Sequence, residues 1–358
     1  MPFSRKLVIS GAGLAISILI SISLVSCGDA EPAPATEALP STAPSTNPSG
    51  THSVAIDGRS LNLPEGYTIK RWVSGRGSLR MMAPTNDGYL LVTETSKGNV
   101  LAFRLADENP QAVAVVRGLK NPSGVAFHDG FIWVADETQV SKYRYEGEER
   151  AGDPETVTEL PDGGHGTRTI GFGADGKLYL TIGSSCNVCE EDDSRRAAML
   201  RFNADGIGDD LPPEEVNIIR QGKNYGWPYC YGSWQVNPEY ADDQLKARFC
   251  EATEPPVVEM QAHSAPLGLC FLTGPGWPAE WQRNLFVAFH GSWNRTVPTG
   301  YKVVRIGEDK QVNDFITGWL DEKTGKAWGR PVDILFVNNK MYVSDDAGGS
   351  IYRVSREQ

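Results

Sequence analysis

Apolar and polar residues alternate along residues 51–358 in short runs that are typical of β-strands. One unit recurs: an apolar stretch, a turn with glycine, a strand rich in β-branched and aromatic residues, and a further strand that holds Tyr or Phe with Arg. The main strand of each copy is centred on Leu90, Ile132, Leu178, Leu285 and Met341. Runs of this length, bounded by turn residues, predict an all-β protein.

The spacing of these copies predicts how the strands are arranged. Successive centres lie 42, 46, 107 and 56 residues apart, and repeats of about 40 to 50 residues are typical of β-propeller blades. The long interval should hold one more blade, yet residues 207–263 are acidic, rich in proline and show no clear copy. We therefore predict a six-bladed β-propeller with one truncated blade, closed by the strand at residues 67–73. A β-sandwich is the rival fold, but it has no reason to repeat at this period.

Composition agrees with this fold and excludes one class of partner. The 38 Gly and 23 Pro residues suit a chain with many turns, and they disfavour a mainly helical protein. The formal charge is −11, from 34 Lys and Arg against 45 Asp and Glu. Because an acidic protein repels backbone phosphates, we expect no nucleic-acid partner.

The first fifty residues predict export and a lipid anchor. Arg5 and Lys6 precede an uncharged apolar run over residues 7–25, and the run stops just before Cys27 in a pattern that resembles a bacterial lipobox. We interpret residues 1–26 as a lipoprotein signal peptide, Cys27 as the lipidated residue, and residues 27–50 as a tether rich in Pro, Ser and Thr. The globular domain is then residues 51–358, held on a bacterial membrane and facing the periplasm or the cell exterior. An uncleaved membrane anchor is the alternative.

Five further cysteines fall in the globular region, and an exported compartment permits disulfides. Cys230 and Cys250 flank an insert and are candidates for pairing. Cys186 and Cys189 form a CxxC pair, for which a local disulfide is favoured over a redox or metal motif. Cys270 lies in an apolar run and is expected to be a buried thiol.

Candidate chemistry lies just outside the strands, because propeller sites form at one end of the central channel. His165 precedes a strand and suits proton abstraction from an alcohol, and Arg168 three residues on suits an anionic group. Arg295 and Arg330 also stand at strand ends, where forked donors bind carboxylates. Each of the four is alternatively a loop or ion-pair residue. An aromatic cluster at residues 224–232 is either a wall under a planar ligand or packing beneath a loop.

These segments resemble a known family. Residues 165–189, the motifs GKNYGWP at 222–228 and FHGSWNR at 289–295, and GRPVD at 329–333 are similar to the soluble quinoprotein glucose and sorbosone dehydrogenases. The resemblance covers most of residues 62–354. It implies a six-bladed propeller that holds pyrroloquinoline quinone (PQQ) with calcium and oxidises a sugar or sugar aldehyde, passing electrons to an external acceptor.

The resemblance also implies roles for individual residues. His165 corresponds to the general base, which takes the hydroxyl proton of the substrate. By the same resemblance a hydride passes to the quinone, and calcium polarises the quinone. Arg295 and Arg330 correspond to residues that bind the quinone carboxylates, and Arg80 stands where the first blade faces the site. No metal-ligating side chain is assigned.

The sequence departs from this family at one place. After Gly206 the chain runs through Ile207 directly to Gly208, where the family has most of a further blade that supplies quinone contacts and main-chain calcium ligands. This gap falls in the long repeat interval. It supports an alternative function, a non-catalytic propeller at the cell surface that binds a glycan or a protein after losing part of its cofactor site.

Overall fold

The computed structural model describes most of the chain after residue 49. The described residues are 50–147, 151–173, 175–186, 191–193, 195–196, 211–220, 222–293 and 295–357. The proposed signal peptide, Cys27, the tether and the Gly206 to Gly208 segment lie outside them, so these predictions stay predictions. No helix within the described ranges has the length and apolar character needed to cross a membrane.

The described chain is almost entirely β-structure. It has one α-helix, α1 (Gln244–Cys250), and short 3-10 helices at Thr95–Lys97, Pro238–Tyr240 and Ala279–Trp281. The strands are β1 (Thr51–Ile56), β2 (Arg59–Pro64), β3 (Tyr67–Val73), β4 (Leu79–Pro84), β5 (Tyr89–Glu94), β6 (Asn99–Arg104), β7 (Val113–Val116), β8 (Gly124–His128), β9 (Phe131–Ala135), β10 (Gln139–Tyr145), β11 (Ala151–Glu159), β12 (Arg168–Phe172), β13 (Leu178–Ile182), β14 (Glu214–Val216), β15 (Cys230–Tyr231), β16 (Gln235–Val236), β17 (Val258–Met260), β18 (Pro266–Phe271), β19 (Leu285–Phe289), β20 (Lys302–Ile306), β21 (Val312–Ile316), β22 (Leu320–Asp321), β23 (Lys326–Ala327), β24 (Pro331–Val337), β25 (Lys340–Asp345) and β26 (Ser350–Arg356).

Six of the sheets follow one another in chain order and form the blades of the propeller. Blades one, two, five and six each have four strands, in the orders β4-β5-β6-β7, β8-β9-β10-β11, β18-β19-β20-β21 and β24-β25-β26-β3. Blades three and four are described as the two-stranded sheets β12-β13 and β14-β17. The first strands pack side by side, with β4 against β8 and β24, β12 against β8, and β18 against β24. The predicted all-β, six-bladed propeller is therefore confirmed.

The last blade is completed by the start of the domain. Strand β3 pairs antiparallel with β26 from Val73 opposite Ile351 to Tyr67 opposite Arg356, as the sequence predicts. Trp72 on β3 is buried, and its ring centroid lies 5.0 Å from that of Tyr342. This packing ties the strand that closes the ring into the core between blades six and one.

The second strands of blades one and five are buried on both faces because neighbouring blades cover them. All six residues of β5 and all five of β19 are buried, which explains the near-continuous apolar runs at these positions. Fully burying one Leu, Val or Phe side chain contributes about 1.5–3 kcal/mol. The interfaces between blades therefore supply the hydrophobic core.

The shortened part of the ring coincides with the long repeat interval. The short strands β14 and β17 lie within residues 207–263, where the sequence shows no clear copy, and Glu214 pairs with Met260. Between them runs an insert, residues 217–257, that holds β15, β16 and α1. Its aromatic side chains pack on one another, with the Tyr229 ring 5.0 Å from Tyr240 and 5.5 Å from Phe249. Packing beneath a loop is therefore the alternative that the structure favours for this cluster.

The disulfides agree with the sequence in part. Cys230 and Cys250 are bonded and join β15 to the end of α1, as anticipated. Cys186 is disulfide-bonded, while Cys189 lies outside the described residues. Cys270 is buried but also disulfide-bonded, so the expectation of a thiol is wrong: local apolar character predicts burial and not oxidation state.

Candidate active site at the mouth of the propeller

The first strand of a blade begins at the same edge where its second strand ends. The register shows this in blade one, where Leu79 lies opposite Glu94, and in blade three, where Arg168 lies opposite Ile182. Because the first strands pack side by side around the ring, these edges gather on one face, which we call the mouth. The strand ends and loops at this edge carry all five residues that the sequence selects: Arg80, His165, Arg168, Arg295 and Arg330.

The core beneath the mouth is apolar. Met81 on β4, Val125 on β8 and Val332 on β24 are buried in one cluster, and Leu267 on β18 packs against it. These side chains come from the first strands of blades one, two, five and six. Val332 is fully buried, and Met81 and Val125 are only 6% and 5% exposed, so these side chains form core beneath the starts of the first strands.

His165 lies half-buried in the loop that leads into β12. Its main-chain N–H donates to the carbonyl of Ser184 at 2.8 Å, which fixes the loop against the end of β13. A Cβ on Gly183 would lie 2.3 Å from the carbonyl oxygen of His165. Glycine at position 183 is therefore what allows the two loops to approach so closely.

The side chain of Arg168 lies under this loop. It is fully buried, and its Nη1 donates to the carbonyls of His165 at 2.7 Å and Thr167 at 3.0 Å, while Nη2 donates to that of Pro161 at 2.8 Å. Burial lowers the pKa of Arg168, and the charge of Arg196 lowers it further. The guanidinium thus contacts loop backbone beneath the rim, which differs from the predicted contact with an anionic ligand.

Arg80 and His290 meet on one carboxylate. Nη1 of Arg80 lies 2.7 Å from Oδ2 of Asp346, and Nε2 of His290 lies 2.9 Å from Oδ1. The three residues belong to blades one, five and six. Nε of Arg80 is buried and makes no hydrogen bond within the described structure, so this cation has donor capacity left.

The two titratable groups in this trio have shifted pKa values. Burial lowers the pKa of His290 despite its bond to Asp346. Burial alone would raise the pKa of Asp346, but the hydrogen bond and charge of His290 and the charges of Arg80 and Arg330 outweigh it, so that pKa is lowered. Near neutral pH a neutral His290 then donates from Nε2 to an ionised Asp346, and Nδ1 is its proton-accepting nitrogen.

Arg330 links blade six to the loop after β19. Its Nε donates to the carbonyl of His290 at 3.1 Å and its Nη2 to that of Gly291 at 2.6 Å. Its main-chain N–H donates to Oδ1 of Asp345 at 2.8 Å, which holds the residue at the start of β24. Arg295 lies half-buried in the same loop, between β19 and β20.

His290 and Asp346 are site residues that sequence reasoning missed. His290 stands in the FHGSWNR motif, of which the sequence prediction selects only the arginine, and Asp346 directly follows β25. Each of these two residues directly follows the second strand of a blade. That position is the sequence signal by which they could have been found. Their direct contact depends on the packing of two blades, which the linear pattern does not contain.

The fold and the family match together place the chain among the quinoprotein propellers. The family model described as TrAA12-like matches residues 61–210 and 197–357. The chain therefore belongs to the TrAA12-like family, that of the PQQ-dependent pyranose dehydrogenases. The two matched segments overlap at residues 197–210, which include the Gly206 to Gly208 segment where the sequence departs from the glucose and sorbosone dehydrogenases.

Individual relatives match only part of this chain. The chain is 38% identical over 163 residues to an uncharacterized protein of Borreliella burgdorferi, which covers 43% of this chain and 42% of that protein. It is 26% identical over 233 residues to the pyrroloquinoline quinone-dependent pyranose dehydrogenase of Coprinopsis cinerea, which covers 53% of this chain and 31% of that enzyme. The chain thus spans less than half the length of these curated relatives.

A solved structure supports the fold. The holo form of the pyranose dehydrogenase PQQ domain from Coprinopsis cinerea superposes with a TM-score of 0.68 at 19% identity, over 83% of this chain and 97% of that one. At this identity the likeness establishes the propeller alone.

Proposed function

We propose that the chain is an oxidoreductase that uses PQQ to oxidise a sugar or sugar aldehyde. Family membership supports the class of reaction. The observation that carries the proposal is the mouth itself, where a candidate base and several arginines from different blades are gathered at one edge of the sheets. The substrate is then a small molecule, and an external acceptor reoxidises the site.

The donors present at the mouth fit the quinone. PQQ is a planar tricarboxylate, and forked guanidinium donors suit its carboxylates. Arg80 with its unpartnered buried Nε, Arg330 and Arg295 would hold the carboxylates. When bound, the quinone would supply the hydride acceptor.

His165 is the proposed general base. It is half-buried in a loop at the rim, so it can face a sugar hydroxyl and still exchange its proton with solvent. In this proposal His165 accepts the hydroxyl proton as the substrate is oxidised. His290, held by Asp346, is the second candidate at the mouth.

Calcium belongs to the proposal through the family resemblance alone. Within the part of the chain that the structure describes, no group of three or more His, Cys, Asp or Glu side chains is placed to hold a metal ion. We therefore assign no step to calcium.

The test compares histidine variants of the purified chain supplied with PQQ and calcium, with reduction of a dye measured over a panel of sugars. We expect wild type to turn over at least one sugar and His165→Gln to lower kcat by about 10²- to 10⁴-fold, as removal of a general base does. His128→Gln is the matched control, because His128 ends β8 at the face opposite the mouth. Full activity of His165→Gln together with loss of activity in His290→Gln would move the base to His290.

The alternative function makes the opposite prediction in the same assay. A non-catalytic propeller would show neither dye reduction nor any dependence on PQQ. Binding of a glycan or protein by such a chain would then have to be sought separately.

We also propose that the protein is exported and anchored by a lipid on Cys27, facing the periplasm or the cell exterior. The apolar run before Cys27 and the Pro- and Ser-rich tether after it support this. Mass spectrometry of the membrane-extracted protein should find the amino-terminal peptide beginning at an acylated Cys27. An intact, unmodified amino terminus would contradict the proposal.

A further inference from the structure

Two buried arginines hold the loop that carries His165. The three hydrogen bonds of Arg168 to the carbonyls of Pro161, His165 and Thr167 come from below the loop. Arg196, only 8% exposed, adds two more: Nη1 donates to the carbonyl of Gly183 at 3.1 Å and Nη2 to that of Asp162 at 2.6 Å. Five carbonyls of two adjoining loops therefore point at two guanidinium groups.

The loops leave little room for movement. Main-chain bonds join His165 to Ser184 at 2.8 Å and Gly183 to Thr167 at 3.2 Å. Gly164 has a φ of +67°, and a Cβ there would lie 2.6 Å from the carbonyl oxygen of Ser184. The backbone around His165 is therefore fixed from both sides.

The charges around the two arginines favour a positional role over a gain in stability. Both guanidinium groups are buried. Burial and the charge of Arg196 lower the pKa of Arg168, and they outweigh the opposing charges of Glu137, Asp162 and Asp136. Asp162, a nearby carboxylate, is engaged by Lys120 at 2.8 Å on the outer side of the loop. Because burying two like charges costs free energy, the contribution of the pair is a defined loop geometry.

We propose that Arg168 and Arg196 form a clamp that positions His165 for proton transfer. This inference rests on the proposed function, and it gives Arg168 a different role from cofactor binding. Both residues act through the loop backbone, so they are positioning residues. Lysine cannot replace either arginine fully, because one ammonium group lacks the planar fork that reaches two carbonyls.

The test combines hydrogen–deuterium exchange of residues 161–167 with steady-state kinetics and PQQ titration. For Arg196→Met we expect faster exchange of the loop amides and a kcat lower by about 10- to 100-fold, since a small misplacement of a catalytic group has effects of this size. KM and the Kd for PQQ should stay within about threefold of wild type. Arg196→Lys should fall in between, and Lys120→Met, which alters the same loop from outside, should resemble wild type.

A second variant displaces the loop without touching either arginine. Gly183→Ala places a methyl group against the carbonyl oxygen of His165, so it should lower kcat in the same way with unchanged PQQ affinity. This variant keeps the test available if replacement of a buried arginine prevents folding.

Several outcomes would overturn the clamp. A weaker Kd for PQQ with unchanged loop exchange would make the arginines cofactor ligands. Faster exchange throughout the propeller would make them general supports, and faster loop exchange with normal kcat would remove the link to His165. If wild type shows no activity, the proposed function fails, and the exchange data still decide whether the arginines hold the loop.

Discussion

Single side chains at the mouth connect different blades. Asp346 of blade six bonds Arg80 of blade one and His290 of blade five, and Arg330 of blade six bonds the backbone at His290. The position of each charge therefore depends on the packing of three sheets. A substitution at Asp346 would disturb both the proposed cofactor contact and the second candidate base.

Asp333 lies just below this trio and is 9% exposed. Its Oδ2 accepts from the main-chain N–H of Met82 at 2.9 Å, and its Oδ1 accepts from that of Ile334. Burial nevertheless raises the pKa of Asp333 to about 7, against these bonds and the charge of Arg80. The carboxyl group thus stays protonated over a range in which an ordinary aspartate is ionised.

This shift predicts a pH dependence of stability. Between about pH 4 and pH 7 the folded chain holds a proton on Asp333 that the unfolded chain has lost, so stability from this group falls as pH rises through the window. The free energy of unfolding of wild type, minus that of Asp333→Asn, should therefore fall from pH 5 to pH 7. It should level off at higher pH. Urea denaturation at several pH values measures it.

Glu108→Gln is the control for that measurement. Hydrogen bonds from Lys70 and Arg353 lower the pKa of Glu108 to about 2, so both its folded and unfolded pKa values lie below pH 5. Its difference from wild type should stay constant from pH 5.5 to pH 8. A constant difference for Asp333→Asn as well would contradict the account of Asp333.

At the scale of elements, the repeat pattern was sufficient to predict where the main strands lie. Leu90, Ile132, Leu178, Leu285 and Met341 each fall in the second strand of a described blade. This succeeds because neighbouring blades cover much of each second strand, so its sequence is mainly apolar. The period of the copies then reflects the size of a four-stranded blade.

Elements outside the repeat were not predictable in the same way. The hairpins β1-β2 and β22-β23 and the insert after β14 have no second copy, so periodicity carries no information about them. Within the insert the sequence shows an aromatic cluster and the two cysteines Cys230 and Cys250, whose pairing is confirmed.

The site shows the same limit. The sequence pattern places Arg168 at the start of a strand. It does not show that the Arg168 guanidinium lies under the loop of His165. Side-chain direction depends on how β12 packs on β8 and on the loop after β13. The pairing of His290 with Asp346 was hidden for the same reason, because 56 residues separate the two along the chain.

For the whole molecule, the order of the blades brings the candidate residues to one face. Blades one, five and six supply Arg80, His290, Arg295, Arg330 and Asp346, and the loop before blade three supplies His165. The shortened stretch belongs to blade four, so the described cationic cluster does not draw on it. We therefore propose that a chain with an incomplete fourth blade still holds the quinone at the mouth, which is the central claim.

The most direct test of that claim is titration of the purified full chain with PQQ, followed by absorbance. We expect saturable binding of one PQQ per chain. The affinity should be about tenfold weaker in Arg330→Met, since one charge-assisted hydrogen bond is worth about 1.5–3 kcal/mol, and unchanged in Lys120→Met. Absence of saturable binding, or equal binding by wild type and an Arg80→Met, Arg330→Met double variant, would contradict the account.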